Sequence, residues 1–223
     1  MYWGIGNSGH VEAFNRNYFE VFNLNGVSVK TMVTDRREVV DDHISRFLGT
    51  TYSRTKVFGF DADWTTHNPD TLSSSCAAVH ICDETSCLII MISHVVPQSL
   101  VNFLRHPNYI FVGFGINDNV AKLEKNYGFG CRNAVELGPL AATIIKSSRL
   151  SYCGVDELAR VVNGCDLSNN RSSSIGFQWD KMDDIKELAK LVTINVYSYH
   201  MIGTKLLLCL LVLVGFNNSY FVG

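Results

Sequence analysis

Apolar residues in this chain form short runs typical of strands early on and recur at helical spacing later. The runs Lys56 to Trp64 and Tyr109 to Phe114 are apolar at their centres, which is typical of strands buried on both faces. Asn25 to Thr34 partly alternates apolar and polar residues, and therefore predicts an earlier strand. The polar stretch 66–75 between the apolar runs is predicted to be a loop.

Two further strands are predicted close together in the middle of the chain. Cys76 to Cys82 and Cys87 to Ile92 are apolar, and turn-forming residues at 83–86 separate them. This spacing predicts a β-hairpin.

Helical spacing of apolar residues dominates the rest of the chain. Helices are predicted at 35–48, at 97–105, from Ile116 until Gly128 ends it, from Pro139 to Ile145, from Val155 to Val162, and from near Asp180 to Leu206. Strands followed by strands alternating with helices predict a mixed sheet covered by helices, an α/β fold.

Composition limits the choice of function only weakly. The chain has 223 residues, 47% of them hydrophobic, and a formal net charge of -2. No run of basic residues indicates a nucleic-acid tail, so a nucleic-acid partner requires a local basic patch.

The seven cysteines include no CxxC pair, which predicts reduced, buried thiols rather than a disulfide framework. The first residues lack a basic start followed by an apolar core, so we expect no secretory signal. An intracellular protein of the nucleus or cytoplasm is expected.

The C-terminal tail is unusually apolar. The run from Leu206 to Phe216 contains no charge, but it is about half as long as the roughly 20 residues that a membrane span requires. A buried helix end or an appended hydrophobic tail is favoured over a membrane anchor, and no membrane partner is expected. The predicted organisation is an N-terminal extension at 1–24, one domain at 25–206 and the tail at 207–223.

Asp61 and Asp63 are the main candidates for chemistry. Residues two apart on a strand project to the same face, so their carboxylates converge on one ligand. Two such oxygen donors suit a divalent ion such as Mg²⁺. Alone the motif is weak, and a polar strand end facing solvent is then the favoured explanation.

A set of motifs in order along the chain strengthens the first interpretation. These are FGFDADW, CLIIMI followed by PQSLVNFL, FVGFGINDNVAKLEKNYG, LARVVNG, Trp179 and IGTKL. Together they resemble the DEDD 3′-to-5′ exonucleases, particularly the Werner-syndrome-type exonucleases of plants. The resemblance implies a ribonuclease H-like mixed sheet with helices on both faces, a nucleic-acid partner (DNA or RNA), and catalysis by two Mg²⁺ or Mn²⁺ ions held by four carboxylates.

The family's carboxylate positions are only partly kept. The resemblance makes Asp61 the ligand shared between the ions, and it places Asp63 where the family usually has the longer Glu. The third position falls on Asn119, a neutral amide. The adjacent Asp118 is an alternative metal ligand, but a shift of one residue turns a side chain by about 100° around a helix.

The last helix departs further from the family pattern. The fourth carboxylate position falls on Asn195, and the tyrosine that orients the attacking water is replaced by Leu191. Loss of two formal charges leaves two dications under-neutralised, so metal affinity is expected to fall steeply. The sequence predicts an exonuclease-like domain whose hydrolysis is weak or lost.

Three functions therefore stay open at the level of sequence. They are a 3′-to-5′ exonuclease, a non-catalytic nucleic-acid-binding module, and a scaffold that forms a homo-oligomer or a hetero-oligomer with an active, related exonuclease. Salt-dependent binding without turnover distinguishes the second from the first.

Overall fold

The computed structural model describes residues 17–49, 56–68, 73–92, 96–166 and 185–218. Trp179, the polar loop around it and the expected start of the last helix near Asp180 lie outside the described residues.

The strands form one mixed sheet, which confirms the α/β prediction. They are β1 Asn17–Leu24, β2 Val27–Thr34, β3 Lys56–Asn68, β4 Ser73–Cys82, β5 Ser86–Met91, β6 Tyr109–Gly113 and β7 Ala134–Glu136. Their order across the sheet is β1-β2-β5-β4-β3-β6-β7. The predicted hairpin of β4 and β5 is antiparallel, and β3 runs antiparallel to β4 but parallel to β6. The strand that carries Asp61 and Asp63 therefore lies inside the sheet.

The helices cover both faces of this sheet. They are α1 Arg37–Leu48, α2 Gln98–Leu104, α3 Ile116–Tyr127, α4 Leu137–Ile145, α5 Val155–Asn163 and α6 Ile185–Asn218, with a short 3-10 helix at Ser148–Tyr152. One core lies between the sheet and α1, α2 and α3, and a second lies between the sheet and α4, α5 and α6. In β5, Cys87 and Ile89 enter the second core while Leu88 and Ile90 enter the first, as expected for a strand buried on both faces.

Strand β1 is an element that the sequence reading missed. It pairs antiparallel with β2 along its whole length. The turn between them is Asn25-Gly26, with φ values of 52° and 80°, the backbone that favours tight hairpins. The sheet therefore begins before residue 25, where the predicted domain starts.

The predicted loop at 66–75 was wrong over most of its length. Strand β3 continues to Asn68 and β4 begins at Ser73, because polar residues on a two-stranded arm pair through their backbones without needing an apolar face. Helix α6 likewise continues beyond Leu206 to Asn218.

The end of α6 is apolar and largely exposed. Leu208, Leu211 and Val212 are 57%, 68% and 56% exposed. Even so, no helix in the described part of the chain combines the length and apolarity needed to cross a membrane.

Helix α6 packs directly on the backbone of β3. A Cβ added at Gly59 would lie 1.8 Å from the Val196 carbonyl oxygen, so only glycine allows this approach. The buried His200 makes a second contact with this strand: its Nδ1 donates at 3.0 Å to the carbonyl oxygen of Val57, two residues before Gly59. Strand β3 and helix α6 are thereby fixed relative to each other.

Substitution of Gly59 tests this packing. We expect Gly59→Ala to lower the free energy of unfolding by about 3 kcal/mol or more, because the new methyl group overlaps a carbonyl that a helix cannot easily move. Urea unfolding followed by circular dichroism measures the change.

The matched control is Gly154→Ala. Gly154 has a φ of -72° and open space around the position of its Cβ, so we expect a loss of no more than about 1 kcal/mol, from its place before α5. Equal destabilisation by the two substitutions would contradict the assigned contact.

Candidate active site

The carboxylate of Asp61 is surrounded by donors from the protein itself. Its Oδ1 accepts hydrogen bonds from Asn119 Nδ2 at 2.9 Å and from the Ala62 backbone N–H at 2.8 Å. Its Oδ2 accepts a hydrogen bond from the Tyr199 hydroxyl at 3.3 Å. Asp61 is thus held from its own strand, from α3 and from α6.

The amide of Asn119 has one orientation that satisfies both of its neighbours. Trp64 Nε1 donates to Asn119 Oδ1 at 2.9 Å, and an indole N–H is only a donor. The ionised Asp61 carboxylate is only an acceptor, so the amide nitrogen must face it. The amide oxygen, the one atom of Asn119 able to bind a metal, is consequently turned toward Trp64.

The start of α3 decides which side chain reaches this position. Glu136 accepts hydrogen bonds from the N–H groups of Gly115 at 2.7 Å and Ile116 at 3.1 Å. These contacts fix the first turn, and Gly115 enters it with a φ of 61°. As a result Asn119 contacts Asp61, whereas the alternative ligand Asp118 is exposed.

Asn195 and Leu191 lie on α6 and are both half-buried. Asn195 precedes Tyr199 by one helical turn, so both lie along the same side of the helix. Leu191 is one turn earlier again and offers no hydroxyl. The tyrosine that reaches the carboxylate therefore lies one turn after Asn195, whereas the family's tyrosine position, Leu191, lies one turn before it.

Two residues of this site were missed by the sequence reading. Tyr199 lies four residues after Asn195, and that helical spacing was the available signal. His80 is a polar residue in the otherwise apolar run CAAVHIC; it is only 2% exposed, and its Nε2 lies 3.4 Å from Asp63 Oδ2. Antiparallel pairing of β3 with β4, which the sequence did not specify, brings it to the acidic pair.

The donors present do not fit the pair of divalent ions that the resemblance implies. Both oxygens of Asp61 already accept hydrogen bonds, and the Asn119 amide directs its nitrogen at the place where a carboxylate ligand is required. Within the described ranges, no group of three or more His, Cys, Asp or Glu side chains is arranged to hold a metal ion.

Burial dominates the electrostatics of Asp61. It raises the pKa of this carboxyl above its usual value, while the charge of His80 and the Ala62 N–H act in the opposite direction. Ionised Asp61 therefore costs stability at neutral pH, a property common among residues of functional sites.

Comparison with known proteins points to nucleases. The chain is 24% identical over 174 residues to the protein RISC-interacting clearing 3′-5′ exoribonuclease 1 of Arabidopsis thaliana, covering 76% of this chain and 86% of that protein. No protein-family model matches the chain.

Solved structures give the architecture. RNase D of Escherichia coli superimposes with a TM-score of 0.60 at 10% identity over 79% of this chain, which spans only 44% of RNase D. NrnC of Brucella melitensis gives a TM-score of 0.55 at 16% identity over 71% of this chain and 75% of that one. The fold is ribonuclease H-like. This confirms the fold predicted from the motifs and places Asp61 on a strand of the central sheet.

The raised pKa of Asp61 gives a testable pH dependence. The unfolded carboxyl titrates near pH 3.9, and the folded state holds the proton to a higher pH, so stability is lost as pH rises between the two values. We expect Asp61→Asn to melt at a higher temperature than the wild type at pH 7, with an advantage that disappears below about pH 4.

Scanning calorimetry across this pH range measures the effect. Asp118→Asn is the control, because its exposed side chain is expected to change the melting temperature little at any pH. An Asp61→Asn protein that melts below the wild type at pH 7 would show that ionised Asp61 is stabilising.

Proposed function

We propose that this chain is a nucleic-acid-binding domain of the DEDD 3′-to-5′ exonuclease type, of the Werner-syndrome-type group of plants, in which hydrolysis is weak or lost. The observation that carries the proposal is the hydrogen-bonded link from Trp64 through the Asn119 amide to Asp61. It occupies the position where the family chemistry requires a third carboxylate and a shared metal ion.

The chemical reason is the direction of the hydrogen bonds. An aspartate at position 119 would place two acceptors face to face, and a metal ion or a shared proton would be needed to bridge them. Asparagine supplies the missing donor, so the two side chains bind each other directly. Two-metal hydrolysis additionally needs the charge missing at Asn195, and Leu191 has no group to orient a water.

The exposed edge of the site offers groups for binding nucleic acid. Lys122 Nζ lies 5.5 Å from the centre of the Trp64 ring, and the lysine is exposed. A lysine beside an indole supplies a charge for phosphate and a flat apolar face for a base. Trp64 is itself partly exposed and held by Asn119, so the platform is rigid.

We propose single-stranded RNA rather than DNA as the ligand. The support is the similarity to a plant exoribonuclease over 76% of this chain. Binding by Lys122 and Trp64 uses phosphate and base faces, so it is expected to depend on salt concentration more than on sequence.

A second candidate is a scaffold subunit, alone as a homo-oligomer or combined with an active, related exonuclease. The exposed apolar end of α6 favours it, because Leu208, Leu211 and Val212 form an apolar surface of the kind found at protein interfaces. Light scattering of the purified chain, alone and mixed with such a relative, gives the mass that distinguishes this candidate from a monomeric RNA-binding domain.

A nuclease assay with site-restoring substitutions tests the first proposal. We expect the wild type to bind a fluorescent RNA oligonucleotide without shortening it in Mg²⁺ or Mn²⁺. The variant Asn119→Asp, Asn195→Asp, Leu191→Tyr regains the family's third and fourth carboxylates and its tyrosine, and we expect it to shorten the RNA at least about 100-fold faster, the scale on which single catalytic groups act.

Asp61→Ala in both backgrounds is the control for a contaminating nuclease. Wild-type degradation that stops on Asp61→Ala would overturn the loss of hydrolysis. In the same assay, Lys122→Ala is expected to weaken RNA binding and to reduce its salt dependence. Undiminished binding would remove Lys122 from the interface.

A further inference from the structure

His80 is a buried polar side chain within the sheet, and the proposed chemistry leaves it without a role. It lies on β4, only 2% exposed, between the fully buried Val79 and Ile81. A buried imidazole in an apolar strand is costly unless it makes a polar contact. Its contacts therefore indicate why a histidine is present.

The register of the sheet brings His80 to the acidic pair. Asp61 is directly opposite His80, and Asp63 is opposite Ala78, in the antiparallel pairing of β3 with β4. Directly paired residues project to the same face of a sheet. The imidazole therefore enters the site from inside the protein, and its Nε2 lies 3.4 Å from Asp63 Oδ2.

The acidic pair needs such a group if no metal ion binds there. Asp61 and Asp63 project to one face and repel each other when both are ionised. The Asn119 amide donates to Asp61, as described above. The imidazole of His80 lies beside Asp63 at ion-pair distance, 3.4 Å from Nε2 to Oδ2, although these two atoms do not form a hydrogen bond of standard geometry.

We propose that His80 is a positioning residue for Asp63, which supplies from within the sheet the contact that a metal ion makes in two-metal nucleases. Asn119 holds Asp61 by a hydrogen bond, and His80 offers Asp63 an electrostatic partner at ion-pair distance. This inference rests on the proposed function only in that the site does without a catalytic pair of metal ions. It assigns the site a second adaptation that replaces metal, independent of the one at position 119.

Nitrogen NMR of the wild-type chain tests the contact directly. In long-range ¹H–¹⁵N spectra, we expect Asp63→Asn to shift the His80 Nε2 resonance, because a charged acceptor is replaced by a neutral one. The buried His43 and His200 are internal controls, since they contact Ser86 Oγ and the Val57 carbonyl and are expected to stay unchanged. An unchanged His80 resonance would overturn the proposal.

Manganese binding to the protein alone tests the replacement of metal. His80→Leu removes the donor and exposes Asp63 to a competing cation, whereas His80→Gln keeps an N–H of similar reach. Electron paramagnetic resonance measures the concentration of free Mn²⁺ and hence the binding affinity. We expect His80→Leu to bind Mn²⁺ about 10-fold more tightly than the wild type or His80→Gln, the usual scale for groups beside a metal site. Equal affinities in the three proteins would contradict the role, and if His80→Leu fails to fold, the NMR measurement decides.

These measurements are separable from the test of the proposed function, because they use no RNA. Hydrolysis of RNA by the wild type would contradict the proposed loss of hydrolysis, but the contact between His80 and Asp63 could still be measured. An unchanged His80 resonance in a protein that binds RNA without hydrolysis would contradict the role of His80 and leave the proposed function intact.

Discussion

The packing of α6 across β3 is the contact on which the site depends. Gly59 lets the helix backbone approach the strand until the Val196 carbonyl occupies the place of a side chain. That distance sets how far every α6 side chain reaches over the strand, and it brings the Tyr199 hydroxyl to Asp61. Around this contact the buried Ile194, Val196 and Ile202 fill the core, so burial of apolar area holds the polar site in place.

At position 119, the exchange of one carboxylate oxygen for an amide nitrogen changes what Asp61 can bind. In a carboxylate site, repulsion between acidic groups is offset by cations, and the protein alone is electrostatically incomplete. Here the Asn119 nitrogen donates where a second oxygen would repel, and Trp64 holds the amide in that orientation. Under the proposed function, this donor takes the place that a metal ion has in a two-metal nuclease.

Burial determines how strongly these contacts matter. Asp61 is taken far enough from water that its ionised form is disfavoured, as its raised pKa shows. Partial exposure of Trp64 and exposure of Lys122 leave the neighbouring surface accessible. A closed polar centre beside an open aromatic and basic edge suits a domain that holds a strand without cutting it.

The sequence alone determined the elements that depend on local patterning. Apolar runs identified β3, β5 and β6, and helical spacing with Gly128 identified α3 and its end. These patterns sufficed for the α/β class, whereas the ribonuclease H-like fold was predicted from the resemblance of the motifs. Prediction failed for two different reasons. The polar arm at 66–75 pairs through backbone groups that carry no sequence signal. Strand β1 was missed although the Asn25-Gly26 turn signals a hairpin.

Only the tertiary structure decided what the site does with its residues. The sequence identified Asn119 as an amide in place of an acid, but the direction of that amide is set by Trp64 and Asp61 from another element. His80 and Tyr199 joined the site through strand register and helix packing, which act over distances along the chain that periodicity does not encode. Composition and spacing specify which faces are buried; which polar groups meet there is fixed only when those faces pack.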